Sequence, residues 1–398
     1  MMNKGILDGV VVLDLTRVLA GPYCGMFLAD MGATVIKIER PGKGDDSRAF
    51  GPFLNGQSCY FMNLNRNKYG VTLNLKSDEG KEIFKEMVKK ADVVIENYRP
   101  GTMKKLGLDY EVLKGINPRI IYGACSGFGQ YGPYSQRPGY DIIGQAMGGL
   151  MSVTGWPGGQ PTRCGTAMGD VLGGLSLTAG VLGALVRQAK TGQGEMVDVS
   201  LVDSVVSSLE IITQIYLAEG RIPERIGNRY ESTYPYDSFI AKDGSVIIGC
   251  GNDKLWKLLA TEMGRPELVD DPGYKATKDR VAHHEQLKVI VENWTKEQLV
   301  EDIAERLTKV GVPSCPIMTI DKIVKDPHIA GARKMFVEVD HPVAGHTTLT
   351  GDQIKFNDWE QSVRLPAPTL GQHNEEVYGK LLGFDAAKVQ TLMEHNVL

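Results

Sequence analysis

No histidine occurs before His283 in this chain of 398 residues, so its long, glycine-rich N-terminal part has none. A Ser-His-Asp triad or a Cys-His pair confined to that part is therefore excluded. The six cysteines, Cys24, Cys59, Cys125, Cys164, Cys250 and Cys315, form no Cys-x-x-Cys pair and no metal-ligand spacing; they read as reduced core thiols. Charge of one sign is also missing. With 44 Lys and Arg against 48 Asp and Glu, the net charge of -4 offers no footprint for nucleic acid or an anionic membrane. The longest tempting apolar run, residues 171–186, is shorter than a membrane span and is cut by Gly173, Gly174, Gly180 and Gly183, so it reads as a buried helix. Residues 1–15 hold one lysine and no small-residue cleavage site, which argues against a secretory signal. The default expectation is a cytoplasmic protein with no membrane and no nucleic-acid partner. Repeats and low-complexity tracts are lacking too.

What is present is glycine, 47 residues, well above the usual share of about 7%. That excess implies tight turns and close backbone approaches. The length suggests about two domains. Apolar strand-like runs at 10–15, 34–38, 71–75, 93–96, 120–124 and 196–200 alternate with helical stretches at 23–31, 78–90, 103–106, 169–190 and 202–218. This rhythm predicts βαβ units and a parallel sheet. From about Arg221 the texture changes. Short strands at 239–241 and 245–249 flank an Asp243-Gly244 turn, and helices follow at 254–263, 284–294 and 296–310. The predicted fold class is α/β, a large Rossmann-like domain plus a smaller α+β domain. The expected boundaries are 1–220 for the large domain, 221–325 for the small one, and 326–398 as a segment returning to the large one.

Gly127-Phe128-Gly129-Gln130-Tyr131-Gly132 spells a GxGxxG motif after a strand. The dinucleotide fingerprint needs a helix to open inside it, but Pro133 and Pro138 follow, and Asp141 comes too early to meet a ribose. The segment reads instead as a ligand-binding loop at a strand's carboxyl end. Cations recur near successive strand ends: Arg17, Arg40, Lys76, then Arg99 with Lys104 and Lys105. Individually these are ordinary loop residues; together they could converge on one polyanion. Asp170, between Gly169 and an apolar helix, reads locally as an N-cap. The other reading is a nucleophile, since a carboxylate has no proton to lose and needs no histidine base. Attack on a thioester would expel a thiolate, a good leaving group, and glycine-loop N–H groups could hold the oxyanion.

Residues 13–48, 91–110, 126–149 and 169–204, with Gly227-Asn228 and the PYDSFIAKDG and GCGNDKLW segments, resemble the class III CoA-transferase family, which includes formyl-CoA and carnitine CoA-transferases and the α-methylacyl-CoA racemases. The resemblance implies a CoA-transferase with Asp170 as nucleophile, acting through an aspartyl mixed anhydride and an aspartyl-CoA thioester. It implies CoA contacts at Arg40, Leu73, Lys76, Asn97, Tyr98, Arg99 and Lys105, with Arg17 beside them. It also implies an interlocked pair of ring-shaped subunits, a homodimer. A CoA thioester is then a substrate, and no tightly bound cofactor is expected.

Two departures matter. Formyl-CoA transferase has His and Gln where this chain has Arg17 and Leu19, which argues against formyl and oxalate chemistry. Racemases have His where Tyr140 stands, before Asp141, and a tyrosine is a weak base near neutral pH. Tyr140, Asp141 and Gln145 are candidate lining for the acyl site, with Asp141 equally a structural cap. The alternatives are an α-methylacyl-CoA racemase and a nicotinamide-dependent oxidoreductase using the Gly127–Gly132 loop. For the transferase, the expected donor is succinyl-CoA or acetyl-CoA and the acceptor a small dicarboxylic or hydroxy acid. Tyr131, Tyr134, Arg137, Arg225 and Arg229 are candidates for its second carboxylate.

Overall fold

The computed structural model describes residues 5–359 and 363–398. The chain divides into two compact units. The first comprises the chain up to Leu150, Arg163–Gln214 and Pro327–Leu398; the second comprises Met151–Thr162 and Ile215–Asp326. Residues 151–162, read from sequence as part of the large domain, thus group with the second unit.

The first unit is built on six parallel strands, β1 (Val11–Asp14), β2 (Thr34–Glu39), β3 (Lys68–Thr72), β4 (Val93–Glu96), β5 (Ile121–Ser126) and β6 (Met196–Ser200). Their spatial order is β3-β2-β1-β4-β5-β6. Side chains alternate between faces along each strand, and both faces are covered. Val12, Val35, Val93, Ile95 and Ile121 pack with helix α1 (Ala20–Asp30) and with Leu177 and Val181 of helix α4 (Met168–Thr191). Leu13, Ile36, Val94 and Tyr122 pack on the other side with helix α2 (Asp78–Val88) and the C-terminal helices Asn374–Leu382 and Ala386–Glu394. Coverage of both faces explains why the strands read as nearly continuous apolar runs. The C-terminal segment is tied to β3: Tyr378 donates to the Thr72 carbonyl at 2.8 Å, and Asn374 bonds both the amide and the hydroxyl of Thr72.

Several boundaries differ from the sequence reading. The third strand lies at Lys68–Thr72, not 71–75, because its first residue is a lysine buried against Asp14. The predicted helix over 202–218 is two helices, Leu201–Ser207 and Ile211–Glu219, separated near Glu210, whose φ is 39°. No helix opens within Gly127–Gly132; the next one, α3 (Asp141–Met147), begins only after the two prolines.

The second unit holds a three-stranded antiparallel sheet in which Gly244–Gly249 pairs with both Tyr236–Ala241 and Ser314–Pro316. Phe239, Val246, Ile248, Trp256, Leu287 and Ile303 form its core with the surrounding helices. The expected hairpin is there, and Asp243 at its turn accepts a hydrogen bond from Val300 N at 2.8 Å.

Candidate active site

In the first unit the strand order reverses direction between β1 and β4, a topological switch point of the kind that opens a crevice at the carboxyl ends of strands. Arg17 leaves β1 there and Asn97 leaves β4. The Asn97 carboxamide accepts from Arg17 N and donates to the Arg17 carbonyl, each at 2.7 Å. The Arg17 guanidinium lies over the Tyr98 ring, 5.4 Å from its centroid, and pairs with Asp46 at 2.9 Å. Below this layer the Glu96 carboxylate accepts from Tyr98 N at 2.6 Å; burial raises its pKa to about 7.

Two pockets meet at this layer. One, of about 150 Å³, is lined by Arg17, Asn97, Tyr98, Arg99, Tyr140 and Asp170, with Leu19 and Arg137 also on its wall. The other, of about 220 Å³, is lined by Arg40, Leu73, Lys76 and Leu106 together with Arg17 and Tyr98 again. Arg17 and Tyr98 therefore border both, and four of the six strand-end cations, Arg17, Arg40, Lys76 and Arg99, line one pocket or the other, whereas Lys104 does not. Lys105 lines neither pocket and is exposed on the short helix Thr102–Leu106.

Asp170 is not an N-cap. Helix α4 begins at Met168 with Ala167 as its cap residue, so Asp170 lies in the first turn. The capping carboxylate comes from α3 instead: Asp141 Oδ1 accepts from Gly169 N at 2.8 Å and from Asp170 N at 3.3 Å. Asp141 is held in turn by the fully buried Gln145, whose amide nitrogen donates to both its oxygens and whose oxygen accepts from Cys164 N at 2.9 Å. Asp141 and Gln145 thus fix the backbone beneath Asp170 and line neither pocket, whereas Tyr140 does line the cleft. Burial first, and the Asp141 charge second, push the Asp170 carboxyl up to about 7. The helix N-terminus pulls the other way, toward the carboxylate.

Glycine brings α4 close enough to its neighbours for this placement. A Cβ on Gly174 would lie 2.7 Å from the Ala20 carbonyl oxygen, and one on Gly173 2.6 Å from Leu201 Cδ2. Such contacts bring the first turn of α4 to the cleft wall carried by α1.

Sequence reasoning missed Tyr60. It stands on the helix Cys59–Asn65 and lines a neighbouring, mostly apolar pocket with Leu19, Tyr23 and Val171. Burial, then the negative charges of Asp170, Asp45 and Asp141, push its hydroxyl well above the ordinary phenol range. Its surroundings in the sequence, a short apolar stretch, carry no signal for this.

A family model described as CoA-transferase family III matches residues 7–374. The chain belongs to that family. It is an enzyme of that class, and its relatives are similar over most of their length. An acetyl-CoA:oxalate CoA-transferase of Acetobacter aceti is 42% identical over 93% of this chain and 94% of its own. A human succinyl-CoA:glutarate CoA-transferase is 37% identical over 100% and 91% respectively. Among solved structures, a CAIB/BAIF family protein from Brucella suis superposes with a TM-score of 0.82 at 38% identity, covering 95% of this chain and all of that one. The α/β fold with its parallel sheet is shared with that neighbour.

Proposed function

We propose that this family member moves CoA from an acyl-CoA donor to a carboxylic acid acceptor, with Asp170 as the covalent nucleophile. The observation that carries the reading is the presence of Asp170 in a cleft that shares Arg17 and Tyr98 with a second, cation-lined pocket. In this reading Arg40, Leu73 and Lys76 hold the nucleotide end of CoA, and Arg17, Asn97, Tyr98 and Arg99 lead its thiol end to Asp170. Lys105, exposed on Thr102–Leu106 outside both pockets, is the last of the proposed CoA contacts.

The Asp170 carboxylate attacks the thioester carbon, forming a mixed anhydride and releasing CoA thiolate. The thiolate attacks the aspartyl carbonyl of the anhydride, expelling the donor acid and leaving an Asp170–CoA thioester. The acceptor carboxylate attacks that thioester, giving a second anhydride and free thiolate. The thiolate then takes the acceptor's acyl group, and Asp170 is regenerated as the carboxylate. No step requires a proton from a general acid, which suits a cleft without histidine.

Succinyl-CoA or acetyl-CoA as donor and a small dicarboxylic or hydroxy acid as acceptor fit best. The relative named for glutarate supports this, and so does the one named for oxalate, which offsets the argument from Arg17 and Leu19 against oxalate. The exposed Arg137 on the cleft wall supports it too. The family's interlocked homodimer in the cytoplasm completes the reading, and sedimentation would detect the dimer. Incubation with donor alone should yield a hydroxylamine-sensitive adduct that peptide mapping places on Asp170. Asp170→Ala should abolish transfer while CoA still binds; an unchanged transfer rate refutes the proposal. A panel of acids against both donors identifies the pair.

A further inference from the structure

Val18 has an unusual backbone for its residue type. It is β-branched, yet its φ is 66°, in the left-handed region, where its side chain crowds the neighbouring carbonyl. Such a conformation persists only where the surroundings over-determine it. Here four side chains converge on the main chain of residues 16–18. Asp14 Oδ1 accepts from Thr16 N at 2.9 Å. Lys37 Nζ donates to the Thr16 carbonyl. Asn97 clasps both backbone groups of Arg17. Asp45 Oδ1 accepts from Val18 N at 3.2 Å. Of these, Arg17 and Val18, with Leu19 and Ala20, line the cleft that contains Asp170, and Thr16 lines the second pocket.

Lys37 and Asp45 also bond each other, at 2.8 Å, with both side chains buried. Ser47 donates twice more to Asp45, and Glu39 accepts from Asp45 N at 2.9 Å. Burial alone would discharge Lys37, but the carboxylates of Asp45, Asp14 and Glu39 outweigh it and hold the ammonium above its ordinary range. Burial likewise opposes the Asp45 carboxylate, and Lys37 and Ser47 keep it well below the usual range. A buried ion pair is a weak means of stabilising a fold, since apolar side chains of similar volume often serve as well. Each member of this pair also makes one hydrogen bond to the main chain that enters the cleft wall, Lys37 to the Thr16 carbonyl and Asp45 from Val18 N.

We infer that the buried Lys37–Asp45 pair is a positioning device, which holds Val18 in its left-handed conformation and thereby fixes the wall of residues 17–20 in the reaction cleft. The inference rests on the reading that the thioester reacts in this cleft. It assigns to Lys37 and Asp45 no contact with the reacting atoms.

The test uses the intact enzyme and steady-state kinetics. Lys37→Met/Asp45→Leu replaces the pair by apolar groups and should fold with a melting temperature near the wild type. Its kcat should fall roughly 10–100-fold, the scale of a small misplacement of reacting groups, while KM for acyl-CoA changes less than about threefold. Val18→Gly enters the left-handed region freely and needs no such hold. Added to the pair variant, it should restore part of the lost kcat, because glycine keeps the conformation without the pair. A pair variant with wild-type kcat overturns the inference. If that variant does not fold, wild-type kcat in Asp45→Ala, which removes both the acceptor for Val18 N and the partner of Lys37, overturns it equally. Asp170→Asn assayed alongside separates the failures: inactive Asp170→Asn with a fully active pair variant removes only the positioning role, and active Asp170→Asn removes the nucleophile and this inference together.

Discussion

Asp170 is pulled in two directions. Burial and the neighbouring Asp141 raise its pKa to about 7, while the attack proposed for it needs the carboxylate. In the free enzyme, kcat/KM should therefore rise with pH to a plateau above about 7, and a profile flat from pH 5 to 8 would contradict it. The stability effect has the opposite sign. The folded state holds a proton on Asp170 between its unfolded pKa, about 3.9, and about 7, so stability falls as pH rises through that window. Asp170→Asn carries no such cost. It should be inactive yet more stable than the wild type at pH 8, by roughly 2–4 kcal/mol, with the difference vanishing near pH 4 in thermal melts. Asp141→Asn keeps an acceptor for Gly169 N but removes the charge, so the acid limb of the profile should move to lower pH. At this scale the proposed nucleophile is partly legible: Asp170 stands out by its glycine neighbours and the lack of histidine. Asp141 already reads as a candidate structural cap, but that it caps α4, 29 positions on, does not show in the sequence, because such a bond depends on where α3 and α4 come together.

At the scale of elements, α4 depends on its glycines. Gly174→Ala places a methyl group against the Ala20 carbonyl oxygen, and backbone yields less readily than a side chain. The expected outcome is a loss of about 1–3 kcal/mol in denaturant unfolding, together with reduced kcat as α4 and its Asp170 move from α1. The strand rhythm was readable because buried parallel strands are apolar on both sides. The start of β3 escaped because Lys68, fully buried beside Asp14 at 2.9 Å, looks like a loop lysine in sequence. Lys37 misleads in the same way: the alternation of residues 34–38 suggests a solvent-facing lysine, whereas its side chain is buried with Asp45. Ionic partners drawn from separate elements leave no local pattern.

On the scale of the whole molecule, the two pockets predict how ligand couples to stability. CoA binding to the folded state alone should raise stability by about 2.7 kcal/mol at a hundred times its Kd, read as a higher melting temperature. Arg40→Ala and Lys76→Ala should each weaken that shift, and Lys105→Ala should weaken it less, since Lys105 lines neither pocket. The sequence by itself determined the alternation of strands and helices, the exclusion of histidine chemistry from the N-terminal part, and the family, because periodicity, residue type and ordered motifs are local properties of the chain. Tertiary structure alone decided that the strand order reverses at β1 and β4, that Arg17 and Tyr98 border two pockets, and that Asp141, Tyr60 and the Lys37–Asp45 pair surround the cleft. Those facts depend on which distant segments pack together, and hydrogen bonds and charges act across distances that sequence separation does not measure.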